Sequence, residues 1–152
     1  MRTPEDKFPT DFKESSITVT SSLKIRSISS QLQNAFAAGD AKAASSLFSY
    51  DAVYEDMALR IQLLGRAEIE HYLSMVLSKA PFGKDSKLRH IVGNNLGGGF
   101  EWIGSPITGV KFGITALELD SNGKITRLTS VYDGRQLSED EVEALNYLLA
   151  NR

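Results

Sequence analysis

The sequence predicts a single α+β domain in which an antiparallel sheet curves around helices laid down earlier in the chain. Two observations carry this. Helical periodicity dominates the first half, with apolar residues recurring every three or four positions, whereas strand-like segments follow one another closely after Lys87. The connections between those late segments are too short to hold the helices that a parallel βαβ sheet requires, so the sheet must bend over the helices to bury its apolar face.

Residues 1–22 are expected to be a mobile arm, with Ile17-Thr18-Val19-Thr20 able to pair as a short edge strand. The domain proper then spans residues 23–152. A first helix is marked by Ile25, Ile28, Leu32, Ala35 and Phe36 on one face, with Ser22 as a cap and Gly39 as its end. Asp40 can cap a short second helix whose inward residues are Ala44, Leu47 and Phe48. The run Ala52 to Asp56 is short and β-favouring and reads as a strand. After a connection through Leu64 and Gly65, Ile69, Tyr72, Leu73, Val76 and Leu77 repeat the spacing of an amphipathic helix that Ala80-Pro81 stops.

Strands are then expected at Leu88–Asn94, Phe100–Ile103, Val110–Leu119 and Ile125–Tyr132, the last two joined at Asn122-Gly123. Gly97-Gly98-Gly99 reads as a strand-linking turn or bulge, since it lacks the spacing of a dinucleotide or phosphate-binding loop. Ser138 and Glu141 form a capping box before a C-terminal helix presenting Val142, Leu145 and Leu149.

Composition excludes several functions. With 152 residues, 41% of them hydrophobic, the chain can bury about two-thirds of its unfolded surface and still carry a pocket. A formal charge of -2 provides no broad positive field, so neither nucleic acid nor an anionic membrane is an expected partner. The chain has no cysteine and two histidines, His71 and His90, which removes thiol chemistry and disfavours zinc. No signal-like h-region or membrane-length apolar window is present, and a cytoplasmic location is expected.

Two stretches are more specific: Ala37-Ala38-Gly39-Asp40 followed by Leu47-Phe48-Ser49-Tyr50-Asp51-Ala52-Val53-Tyr54-Glu55-Asp56, and Gly65-Arg66-Ala67-Glu68-Ile69-Glu70-His71-Tyr72. With the closing Leu117 to Ile125 hairpin, these resemble the nuclear transport factor 2-like superfamily, in particular its SnoaL-like and ketosteroid isomerase-like members. The resemblance covers about Leu23 to Tyr132. It implies a cystatin-like α+β cone, and it leaves function open among isomerases, dehydratases, cyclases, epoxide hydrolases and binding domains.

Alternation places Tyr54 and Asp56 on one face of their strand. If that face lines the cone, desolvation should raise the Asp56 pKa into the range of a general base near neutral pH. The resemblance implies the same role, because the isomerase base follows an acidic residue as Asp56 follows Glu55, although Met57 replaces the usual proline. The family's oxyanion donors fall at Leu32, which cannot donate, and at Thr115. Ser130 stands where the epoxide-hydrolase pattern places an aspartate. Trp102, Tyr132 and Tyr54 can form an aromatic wall that orients a ligand, or can simply fill core. His90, with Leu88 and Val92 on its face, is either a second acid/base group or a hydrogen-bonded core histidine.

The expected activity is cofactor-free and metal-free proton transfer on a small apolar carbonyl compound, with ligand binding alone as the alternative. In the strand Val110 to Leu119, Lys111, Gly113, Thr115, Leu117 and Leu119 form one face. If that set lines the interior, Val110, Phe112 and Ile114 form an exposed apolar band, which predicts a homodimer through the outer sheet face.

Overall fold

A computed structural model describes residues 16–150, with side chains from Leu23 onward. The first helix, Ser16–Ala38 (α1), buries Ile25, Ile28, Leu32, Ala35 and Phe36 as the periodicity requires. It begins at Ser16, so Ile17–Thr20 is helical and not an edge strand. Extending a helix already anchored by a buried face adds a hydrogen bond per residue, whereas a lone strand needs a partner. The rest of the expected arm, residues 1–15, lies outside the described residues.

At its end the Gly39 N–H donates to the Phe36 carbonyl and the Asp40 N–H to the Ala35 carbonyl. This is the paired bonding of a Schellman cap, and it needs the positive φ of 71° that Gly39 adopts. Asp40 then caps Ala41–Ser45 (α2) by accepting from the Ala43 N–H at 2.9 Å. Phe48 opens the strand Phe48–Asp56 (β1) rather than closing that helix. The segment expected to be a plain connection contains a further strand, Ile61–Leu64 (β2), paired antiparallel with β1. Arg66–Val76 (α3) buries Ile69, Tyr72, Leu73 and Val76.

The late strands are Lys87–Asn94 (β3), Gly97–Ile103 (β4), Phe112–Leu119 (β5) and Ile125–Tyr132 (β6). Gly97 to Gly99 belong to β4, and the turn is Asn95-Leu96, since Asn94 pairs with Gly97. Gly123 supplies the positive φ of the β5–β6 connection, at 78°. The C-terminal helix, Glu139–Ala150 (α4), opens with the reciprocal Ser138 and Glu141 bonds of the expected capping box.

The strands make one six-stranded sheet in the order β2-β1-β6-β5-β4-β3. The late strands form an antiparallel meander, whereas β1 joins β6 in parallel. That junction links the two halves of the chain, and the aliphatic and aromatic core fills the space between the sheet and α1 and α3. Strand β5 alternates strictly: Gly113, Thr115, Leu117 and Leu119 are buried, while Phe112, Ile114, Ala116 and Glu118 face outward. Val110 lies before the strand and is buried, so it does not belong to the outer band. Among the described residues no helix is long and apolar enough to cross a membrane.

Candidate functional site

The register stacks inward-facing residues into rows that cross the strands. Leu88, Trp102, Gly113 and Tyr132 stand in one row. Ile91, Phe100, Thr115, Ser130 and Asp56 form the next, and Gly93, Gly98, Leu117, Leu128 and Tyr54 the third. The middle row is where the chemistry lies. It sets a carboxyl and two hydroxyls on adjacent strands, Asp56 beside Ser130 and Ser130 beside Thr115. Directly opposed residues on neighbouring strands hold their Cβ atoms about 5 Å apart, so these three groups form one short polar strip in an otherwise apolar interior.

Asp56 is 1% exposed. Its Oδ1 accepts from the Leu59 N–H at 2.8 Å, a bond made possible by the tight β1–β2 turn, and its Oδ2 accepts from the Tyr132 hydroxyl at 2.9 Å. The Met57 N–H donates to the Ser130 carbonyl at 2.9 Å. A proline there could not make that bond, so methionine extends the β1–β6 ladder past the site.

Burial and hydrogen bonding pull the Asp56 carboxyl in opposite directions, and burial wins. Desolvation raises its pKa from the ordinary 3.8 to about 6, against the lowering effect of bonds from Leu59, Tyr132 and Ala58. Burial, and then the Asp56 charge, push the Tyr132 phenol far above its usual range, so it stays a donor. Tyr54 is raised for the same first reason, desolvation.

The surroundings of the strip are aromatic. Trp102 and Tyr132 pack edge to face with ring centroids 5.8 Å apart, and Tyr54 meets Tyr72 at 5.5 Å. Among the described residues the hydroxyls of Tyr54 and Ser130 are buried without a hydrogen-bond partner. Such groups cost free energy unless something satisfies them, which makes them donors available to a guest. Thr115 Oγ1 accepts from Trp102 Nε1 at 3.0 Å, a bond that uses the oxygen and not its O–H.

That bond depends on a missing side chain. Trp102 lies across β5 directly over Gly113, where an added Cβ would come within 2.0 Å of the indole ring. Gly113→Ala should therefore lift the ring from Thr115, lower the urea midpoint by about 1–3 kcal/mol of stability, and shift the emission of this lone tryptophan. An unchanged spectrum and midpoint would contradict this placement.

Of the residues singled out from sequence, Tyr54, Asp56, Trp102, Thr115, Ser130 and Tyr132 all point into the cone. His90 does not. Strand β3 carries a bulge between Leu88 and His90, so Leu88 pairs with Trp102 while His90 pairs with the outward Glu101. The extra residue reverses the alternation, leaving His90 and Val92 on the solvent side. It is neither an acid/base group of this site nor a core histidine. Asp133 caps the 3-10 turn Gly134–Gln136 by accepting from the Arg135 N–H. Phe82, which sequence reading passed over, sits among Phe36, Trp102 and Tyr132. The only signal was an aromatic residue between Pro81 and Gly83 in a polar stretch.

No protein-family model and no curated protein sequence matches the chain. Solved structures do. An NTF-2-like protein of unknown function from Burkholderia xenovorans LB400 superimposes with a TM-score of 0.62 at 23% identity, covering 73% of this chain and 84% of that one. A protein with a cystatin-like fold from Silicibacter pomeroyi DSS-3 gives 0.64 at 18% identity, covering 82% and 84%. A steroid delta-isomerase from Pseudomonas aeruginosa gives 0.60 at 15% identity, covering 85% and 90%. The chain therefore has the nuclear transport factor 2-like, cystatin-like α+β fold that its motifs implied.

Proposed function

We propose that the chain performs cofactor-free proton transfer on a small, largely apolar carbonyl compound, with Asp56 as the general base. The observation that supports this best is a carboxyl held by two donors inside an aromatic cone, with its pKa raised to about 6. Such a group is mostly ionised at neutral pH and still basic enough to accept a proton from a carbon next to a carbonyl and return it. The negative charge that develops on the carbonyl oxygen needs donors, and the unengaged hydroxyls of Ser130 and Tyr54 are the ones at hand.

Steroid isomerisation is not the reading we favour, despite the similarity of fold to a steroid delta-isomerase. Leu32, buried on α1 at one of the two expected donor positions, cannot donate, which leaves the Thr115 hydroxyl as a single weaker donor there. An isomerase, cyclase or dehydratase acting on a smaller ring suits the groups present.

A second reading, binding without turnover, draws on one observation: aromatic side chains fill the cone and leave Asp56 fully buried. The two separate experimentally. Small cyclic ketones incubated with the protein in deuterium oxide should exchange the C–H next to the carbonyl faster than in buffer. Asp56→Asn should slow that exchange at least 100-fold, in line with the usual contribution of a positioned base. Ketone binding without any protein-dependent exchange would reject the enzymatic reading in favour of the second.

A further inference from the structure

The proposed base is sealed, so something must move before a substrate can reach it. Around Asp56 the strands β1, β6, β5 and β4 are held in regular ladders, and α1 spans the cone. Over Trp102 and Tyr132 lies the segment 77–86 between α3 and β3. Among the described residues its Phe82 is the one buried aromatic side chain that no helix or strand carries. Phe82 is 1% exposed, and its ring centroid lies 5.4 Å from Phe36, 6.3 Å from Trp102 and 6.4 Å from Tyr132. Tyr132 is the phenol that bonds Asp56.

The segment closes on itself through backbone bonds and places Leu77, Ala80 and Phe82 in the core. The Lys84 N–H closes it on the Leu77 carbonyl at 2.9 Å, and Gly83 and Ser86 donate within it to Ala80 and Gly83. Gly83 packs so closely on the Leu77 carbonyl that a Cβ there would lie 2.0 Å from the oxygen. It continues from α3 through the Leu77 N–H to the Leu73 carbonyl and the Lys79 and Ala80 N–H groups to the Val76 carbonyl, and beyond α3 its hydrogen bonds to the cone are the Asp85 N–H to Ala37 carbonyl bond, the Ser105 N–H to Pro81 carbonyl bond, and Gln33 Nε2 donating to Ser86 Oγ. Opening it away from α1, β3 and β4 breaks fewer hydrogen bonds than separating any two strands of the β4–β5–β6 ladders.

We propose that Phe82 is the gate and the size filter of the Asp56 site: segment 77–86 swings out as one piece, and a ring-sized ligand takes the seat that the Phe82 ring vacates. The inference rests on the proton-transfer reading for its purpose, though not for its geometry. The seat is walled by Phe36, Trp102 and Tyr132, so it suits one six-membered ring. A single hydroxyl or carbonyl on that ring would point towards the Tyr132 and Asp56 pair.

Phenol is a sufficient probe, and Trp102, the sole tryptophan, reports its arrival by fluorescence. Phe82→Ala and Phe82→Leu should bind phenol at least tenfold more tightly than the natural protein, and Phe82→Trp at least tenfold more weakly. Equal affinities across the series would overturn the gate. In the unaltered protein, phenol should accelerate hydrogen exchange at the Asp85 and Ser105 amides while leaving the β5–β6 ladder unchanged. Binding that slows or leaves those two amides untouched overturns the gate as well, and needs no variant to fold. Asp56→Asn, combined with each Phe82 variant, keeps the two ideas apart. Affinity that follows residue 82 yet ignores Asp56→Asn retains the gate and removes Asp56 from the site.

Discussion

Asp56→Asn is expected to stabilise the protein by about 3 kcal/mol above pH 7 and to change it little below pH 4. The carboxyl titrates near 3.8 when unfolded and at about 6 when folded. Between those values the folded state holds a proton that the unfolded state has released, so stability falls by about 1.4 kcal/mol per pH unit as pH rises through that window. The stabilising contribution is complete below the unfolded value and is lost as pH passes the folded one. A carboxyl 1% exposed has little solvent to screen this cost.

Asparagine avoids it without breaking the local bonds. Its Oδ1 can accept from the Leu59 N–H, and its Nδ2 can donate to a Tyr132 hydroxyl that turns to accept. The melting temperature of Asp56→Asn at pH 8 should rise by on the order of 8 °C, with a pH profile that lacks the descent of the natural protein between pH 4 and 6. A site kept at such a cost is one where stability yields to function. Parallel pH profiles for the two proteins would show that Asp56 titrates normally, and would remove the base from the proposed mechanism.

The elements whose cause is local were legible in the sequence. The Gly39 Schellman cap, the Asp40 cap, the Ser138 and Glu141 box and the alternation of β5 all follow from residues within a few positions of one another. The features that escaped depend on distant partners. Ile61–Leu64 is a strand because β1 offers it an edge, and the parallel union of β1 and β6 joins opposite ends of the domain.

The site divides the same way. Alternation alone put Tyr54 and Asp56 on one face, but the Tyr132 hydroxyl reaches Asp56 across 76 positions of sequence, and no local pattern announces it. His90 failed for a third reason. One bulged residue inverts every position after it, and a strand whose apolar residues fall on both alternating sets, Leu88 and Val92 on one and Ile91 on the other, gives no hydrophobic pattern from which the bulge could be read.

We also propose that the chain pairs with a second copy of itself through the outer face of the sheet, and that Phe112→Glu leaves a folded monomer. On that face Ile103 stands opposite Phe112, and Ile114 opposite Val131, all of them substantially exposed. Phe112, Ile114 and Val131 border a groove of about 600 Å³ whose rim carries Arg89, Glu101, Asp133 and Arg135. The rim charges are already matched within the chain: Arg89 lies 3.6 Å from Glu101 and 4.7 Å over the Phe112 ring, and Arg135 contacts Asp133 at 3.0 Å. The patch therefore presents apolar surface with no unbalanced charge, so a two-fold axis through it brings apolar residues together without like-charge repulsion. Glutamate at 112 would stand on both sides of that axis, and burying an unpaired charge costs several kcal/mol per subunit, more than a two-subunit contact of this kind can absorb. Because Phe112 points away from the core, the variant should keep its far-UV spectrum while sedimenting as one chain where the natural protein sediments as two. A natural protein that is already monomeric at several hundred micromolar would refute the pairing.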